Sequence, residues 1–192
     1  MIKYNFNRLG SLVMQSAIDL LSTPQYIVLT RKLISEFQTN GEQTLYFQSG
    51  KSKVNANFPN VGFEITSRKD EWAATSFTKD ITFEYDLYVG IKALAGPKND
   101  DIGEISQVEH YIIALSEFVL EALNEPLAGL QFLITKDLDG NPINPPIKIY
   151  DSLAEGIQYG YLYNGALRIG KINWHAKIMR TGPINNPGQT GY

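Results

Sequence analysis

The stretch Thr78–Ile91, TKDITFEYDLYVGI, decides the fold class. Ile81, Phe83, Tyr85, Leu87, Val89 and Ile91 occupy alternate positions, with Thr82, Glu84, Asp86 and Tyr88 in the gaps. Successive side chains of a strand point to opposite faces, so the pattern predicts a half-buried antiparallel strand with one face on a core and the other in water. Its expected partner lies upstream, after Pro59, where Val61, Phe63 and Ile65 alternate with Gly62, Glu64 and Thr66. The polar piece Ser67–Ser76 between the two is expected to be a long hairpin loop.

Helical periodicity flanks this hairpin. Leu9, Leu12, Val13, Ala17, Leu20 and Leu21 recur at spacings of three and four, which predicts a helix with one buried stripe that Ser22, Thr23 and Pro24 end. The clearest helix follows the loop Gly96–Gly103: Ile105, Val108, Ile112, Leu115, Val119 and Ala122 form its stripe, Tyr111 and Phe118 widen it, and Asn124 and Pro126 stop it. Tyr26–Phe37 is two-sided, since Ile27, Val28 and Leu29 favour a strand while Leu33, Ile34 and Phe37 have helical spacing. A short second segment is expected there. Thr39–Gly41 reads as a turn and Thr44–Gln48 as a short strand closed by Ser49, Gly50 and Lys51.

The last third is expected to be mostly strand. Gln131–Thr135 is a brief apolar strand, while DGNPINPP at 139–146 reads as a projecting loop because proline supplies no ladder N–H. A short strand Ile147–Tyr150 and a helical turn around Leu153 come next. Tyr159, Tyr161 and Tyr163 then alternate up to Asn164-Gly165, a strong hairpin signal because both residues tolerate the positive φ of a type I′ turn. In the returning strand, Ala166–Met179, the apolar parity switches from Leu167 and Ile169 to Ile172, Trp174, Ala176 and Ile178, and a bulge at Gly170 is expected to reconcile the two. The result is an α+β fold, a mainly antiparallel sheet packed on one side by amphipathic helices, as a single domain of residues 1–180 followed by an extended arm of residues 181–192.

Composition narrows the chemistry. The 192 residues suffice for one domain with a sizeable core. Only 19% are charged, below the roughly 25% of an average soluble domain. Seventeen Lys and Arg stand against 20 Asp and Glu, a net charge of -3 that argues against a sequence-specific nucleic-acid binder. There is no cysteine, which excludes disulfides, thiolate nucleophiles and thiolate metal sites. No apolar run approaches a membrane span, and MIKYNFNRLGS lacks the apolar stretch of a signal peptide, so a cytosolic product is expected.

No catalytic constellation emerges. His175 should face away from Trp174, on the solvated side of its strand, and His110 sits on a helix surface; neither has a triad or metal context. DLDGN at 137–141 is superficially similar to a calcium loop, but the prolines after it and the missing closing Glu make it a turn. The glycines at 90, 96 and 103 form no phosphate loop. QTLYFQS at 43–49 is similar to a viral-protease recognition site and is read as native strand. Asp100, Asp101 and Glu104 suit the N-terminal end of the long helix, where the dipole favours negative charge. Arg168, Lys171, Lys177 and Arg180 gather positive charge near the end of the chain, and a partner surface explains them as well as solvated strand does.

With FPNVGFEI, DITFEYDLYVGI and ALRIGKINWHAKI in this order around a long helix, the chain resembles the tail terminator and tail completion proteins of tailed bacteriophages. That resemblance implies a non-enzymatic subunit of a homo-oligomeric ring, a hexamer, located in the virion tail or neck after assembly in the host cytoplasm. Its implied partners are further copies of itself, the tail tube protein, the sheath protein and the neck or connector proteins, with no membrane, cofactor or metal. The residues expected to meet partners are Asp100, Asp101, Asn141, Pro145, Arg168, Lys171, Pro183, Asn185 and Tyr192. Two alternatives stand beside this one: another head-tail connector or baseplate component, and a small-ligand-binding domain or enzyme.

Overall fold

The computed structural model describes residues 7–38, 43–72, 78–92, 102–137 and 139–181. Helix α1 (Asn7–Leu21) and helix α2 (Pro24–Phe37) precede the short strand β1 (Tyr46–Ser49). The hairpin β2 (Asn60–Trp72) and β3 (Thr78–Lys92) leads to helix α3 (Ile102–Asn124), and β4 (Leu133–Lys136), β5 (Pro142–Leu162) and β6 (Leu167–Thr181) complete the chain. The fold is α+β. Among the described residues the sheet has six strands in the order β1-β2-β3-β6-β5-β4 and is mixed, because β1 lies parallel to β2 while the other neighbours are antiparallel.

The alternation in β3 does what its pattern predicts. Ile81, Phe83, Tyr85, Leu87, Val89 and Ile91 are all buried, and across the ladder Ile172, Trp174, Ala176 and Ile178 of β6 join them on the helix-covered face. Trp174 is the centre of this layer: it stacks on Tyr85 at 4.9 Å and meets Phe63 edge-on at 6.4 Å. Its indole N–H donates to Ser152 Oγ at 2.9 Å, and that hydroxyl donates to the Leu123 carbonyl, so a buried polar edge is fully partnered. From α1, the Gly10 carbonyl accepts a bond from the buried Tyr85 hydroxyl at 2.7 Å. Ile112, Leu115 and Val119 of α3 fill the same cluster.

Several expectations are corrected. The Tyr26–Phe37 segment is helical throughout: Pro24 opens it, where its missing N–H costs nothing, and Tyr26, Thr30 and Ile34 form the buried stripe. Ile27, Val28 and Leu29, which suggest a strand, are its exposed side. Much of the expected loop Ser67–Ser76 is strand, since β2 pairs with β3 as far as Trp72 opposite Lys79 after a register shift between Ile65 and Ser67. The expected turn at Thr39–Gly41 lies outside the described residues.

The Pro-rich segment is not a free loop. The turn is confined to Asp137–Asn141, and β5 begins at Pro142 and runs through Pro145 and Pro146. Strand β4 matches Lys136 with Pro142 and then Ile134 with Ile147, so Pro145 and Pro146 fall in the irregular stretch between paired positions, where no ladder N–H is required of them. No helical turn forms at Leu153, because β5 continues to Leu162 with register shifts at Ile149/Asp151 and Glu155/Ile157.

Gly170 is not a bulge. The β3–β6 register runs unbroken from Thr78 opposite Thr181 to Lys92 opposite Leu167. The parity change instead reflects a second, smaller cluster on the opposite face, where Leu167 and Ile169 bury Tyr88 with Phe58 and Leu162 alongside. Glycine is required at 170 by a close approach: a Cβ there would collide with Ser116 Oγ of α3. Asn164 and Gly165 do carry positive φ, 55° and 90°, within a turn closed by the Ala166 amide and the Tyr163 carbonyl. β6 itself extends to Thr181, one residue into the expected arm.

Candidate interaction surface

The helices cover one face of the sheet, and the other, beside the small Tyr88–Leu167–Ile169 cluster, carries a ladder of matched charges. Strand alternation brings Glu64 and Lys69 of β2, Asp80, Glu84 and Asp86 of β3, and Lys171, His175 and Lys177 of β6 to the same side. Lys171 meets Asp86 at 2.7 Å, Lys177 approaches Asp80 at 3.7 Å and Lys69 approaches Glu84 at 3.5 Å. The first two pairs are diagonal across the β3–β6 ladder, within reach of a long side chain. Ser67 donates to Glu84 at 2.6 Å, and this bond, ahead of the Lys69 charge, holds the Glu84 carboxyl below its ordinary pKa. Burial, and then the hydrogen bond its hydroxyl donates to the Glu64 carboxylate, push the Tyr88 pKa upwards. Tyr150, Leu153 and Met179 stay exposed towards the β5 side.

His175 lies on this face, opposite Glu84 and 3.8 Å from Glu155, as its parity predicts. His110 is exposed on α3. Among the described residues no group of three or more metal-ligating side chains converges. In DLDGN, the Asp137 carboxylate accepts bonds from the backbone N–H of Asp139 and Asn141 and from the Asn141 amide at 2.8 to 3.0 Å, as an Asx-type turn does.

The expected contact residues separate. Arg168 is not a surface cation: its inward parity turns it towards α3, where it donates to both carboxylate oxygens of Glu109 at 2.8 and 2.6 Å and to the Gly160 carbonyl at 2.9 Å. The Tyr161 ring lies 4.5 Å from its guanidinium, and the Tyr161 hydroxyl donates to Glu109 as well. These bonds, Arg168 first, hold the Glu109 carboxyl below its ordinary pKa. Lys171 faces solvent in its pair with Asp86, and Asn141 is exposed but committed to the Asp137 turn. Pro145 lies within β5. Asp100, Asp101, Pro183, Asn185 and Tyr192 lie outside the described residues. The Arg168–Glu109 pair spans 59 positions and has no local signature; the alternating tyrosines beside it were the only hint.

A groove of about 650 Å³ opens between α2, α3 and the segment before β2, walled by the rings of Phe37, Tyr46, Phe58 and Tyr111 together with the polar side chains of Gln38, Asn57, Lys92 and Gln107. Tyr111 stacks on Phe37 at 4.9 Å, and its buried hydroxyl has no hydrogen-bond partner among the described residues. QTLYFQS belongs to the fold, with Leu45 buried and Phe47 opposite Val61. No family model and no curated protein matches the chain.

Proposed function

We propose that this chain is a structural, non-catalytic subunit of a tailed-phage virion, a tail terminator that closes into a hexameric ring, caps the tail tube and offers a surface to the sheath and to the neck or connector. The observation that carries the reading is the asymmetric sheet: helices shield one face, while the other presents a row of paired charges with Tyr150, Leu153 and Met179 exposed beside it. Paired charges of both signs suit a surface that must stay soluble before assembly and then select its neighbour by complementarity. The mass of the purified chain by light scattering, with images of negatively stained particles, tests it. Rings of six copies are expected, and detection of the chain at the tail-neck junction of virions distinguishes a terminator from a connector or baseplate component. A monomer that never enters virions refutes the reading.

The groove beside Tyr111 favours a second reading, a small-ligand-binding domain, because aromatic walls interspersed with a few polar side chains, here Gln38, Asn57, Lys92 and Gln107, are what such sites look like. Screening the chain against small-molecule mixtures for raised thermal stability, with Tyr111→Phe as the control, decides it.

A further inference from the structure

The groove between α2, α3 and the segment before β2 lies at one end of the β3–β6 ladder, and residues 182–192 leave from the other. Ile91 and Lys92, the last residues of β3, line the groove, while Thr181, the last residue of β6, pairs with Thr78 at the start of β3. A strand rises about 3.3 Å per residue, so the 15 residues of β3 put about 46 Å between the two ends. Residues 182–192 at full stretch span about 36–40 Å. Curvature of the sheet shortens the path, but an arm stretched as far as the rim has no residue left to fill the groove. These residues therefore cannot occupy the groove of their own chain.

The groove and the arm match in chemistry. The rings of Phe37, Tyr46, Phe58 and Tyr111 wall the groove, and the exposed side chains of Asn57 and Gln107 supply amide donors along it. Lys92 lies over the Phe58 ring at 5.6 Å and adds a further donor. Residues 182–192, GPINNPGQTGY, carry no charge in a chain that is 19% charged, so nothing in them has to be desolvated as an ion. Pro183 and Pro187 hold φ near −65° and favour the extended polyproline II backbone, whose carbonyls make no internal bonds and stay open to outside donors. Aromatic-lined grooves are a recurrent way of holding such proline-bearing segments.

We propose that residues 182–192 of one copy of this chain lie extended in the Phe37–Tyr46–Phe58–Tyr111 groove of a neighbouring copy. The prolines rest against the rings, and backbone carbonyls accept bonds from Asn57, Lys92 and Gln107. Arm and groove sit at opposite ends of the ladder, so each copy holds one neighbour while a second holds it, the head-to-tail contact that closes into a ring where the rotation allows. The inference names the contact behind the homo-oligomer of the proposed function and rests on that part of the reading; it needs neither the tail nor the neck.

The chain contains no cysteine, so single thiols report contacts directly. Full-length chains carrying Gln107→Cys, at the groove, are mixed with full-length chains carrying Gln189→Cys, in the arm, and treated with a short bismaleimide. Because the thiols sit on different chains, a heterodimer reports a contact between copies. It is expected from this mixture, and from the same mixture with Ile184→Cys as the arm thiol. It is expected to be lost when the groove chain also carries Asn57→Trp, which blocks the rim from an exposed position; Lys92→Trp, at the end of β3, repeats the block from a second wall. Glu121→Cys, exposed on α3 about 21 Å along the helix from Gln107, should give none. Chains that form six-copy rings without a heterodimer from either arm thiol overturn this inference and leave the ring reading standing. A heterodimer that survives both tryptophan substitutions overturns it as well. Crosslinking as expected in particles with the mass of a dimer overturns the ring reading alone, and a monomer that never crosslinks overturns both.

Discussion

Replacing Arg168 with methionine should expose how much the β5–β6 hairpin depends on one ion pair. The substitution keeps most of the aliphatic stem and removes three donated bonds, two to Glu109 and one to the Gly160 carbonyl. The Arg168 side chain is 11% exposed and that of Glu109 30%, so water reaches the abandoned carboxylate but not freely. Hydrogen bonds to charged groups contribute about 1.5–3 kcal/mol each in net terms, and rehydration of Glu109 offsets part of the loss. A destabilisation of about 2 kcal/mol is expected, which for a chain of this size lowers Tm by about 4–8 °C.

The pH dependence carries the stronger test. The Glu109 carboxyl has its pKa lowered in the folded protein, first by Arg168, so its contribution is fully present above the ordinary carboxylate value. It is lost as pH falls through the lowered folded value. The Tm gap between the parent chain and Arg168→Met, measured by circular dichroism, should be widest near pH 7 and narrow progressively on acidification. A Tm unchanged within about 1 °C at neutral pH, or a gap that is constant down to acidic pH, would refute the assignment of Arg168 to an internal pair.

Three further outcomes are expected. Leu115→Ala opens a cavity where α3 meets the sheet and should cost about 2–5 kcal/mol in urea denaturation; unchanged stability removes Leu115 from the core. Gly170→Ala forces α3 away from β6 and should cost about 1–3 kcal/mol, and Ser116→Ala in that background should recover only part, because Ser116 Cβ itself stands 3.0 Å from the new methyl. Under the proposed tail-terminator reading, deletion of residues 182–192 should leave the thermal transition in place and impair ring assembly or docking to the tail tube; a truncated chain that assembles and docks normally rules out a role for these residues.

Local periodicity determined much of this protein. The alternation of Ile81 to Ile91 places one face of β3 in a core, the three-and-four spacing of α1 and α3 aligns their stripes, and the parity of β6 places His175 opposite the Trp174 face. Each of these is a statement about which side of one element is apolar, and burying apolar surface is a strong, non-directional driving force that fixes sidedness without naming a partner. Tertiary structure decided whatever depends on what lies across the gap. Tyr26–Phe37 is a helix because Tyr26, Thr30 and Ile34 find a surface to cover, with a polar residue in the middle of the stripe. The prolines of β5 sit in a strand because β4 does not ask them for hydrogen bonds, and Gly170 is a contact point because Ser116 stands above it. Arg168 turns inward because Glu109, 59 positions away, waits at the end of its reach, and no window of neighbouring residues carries that distance.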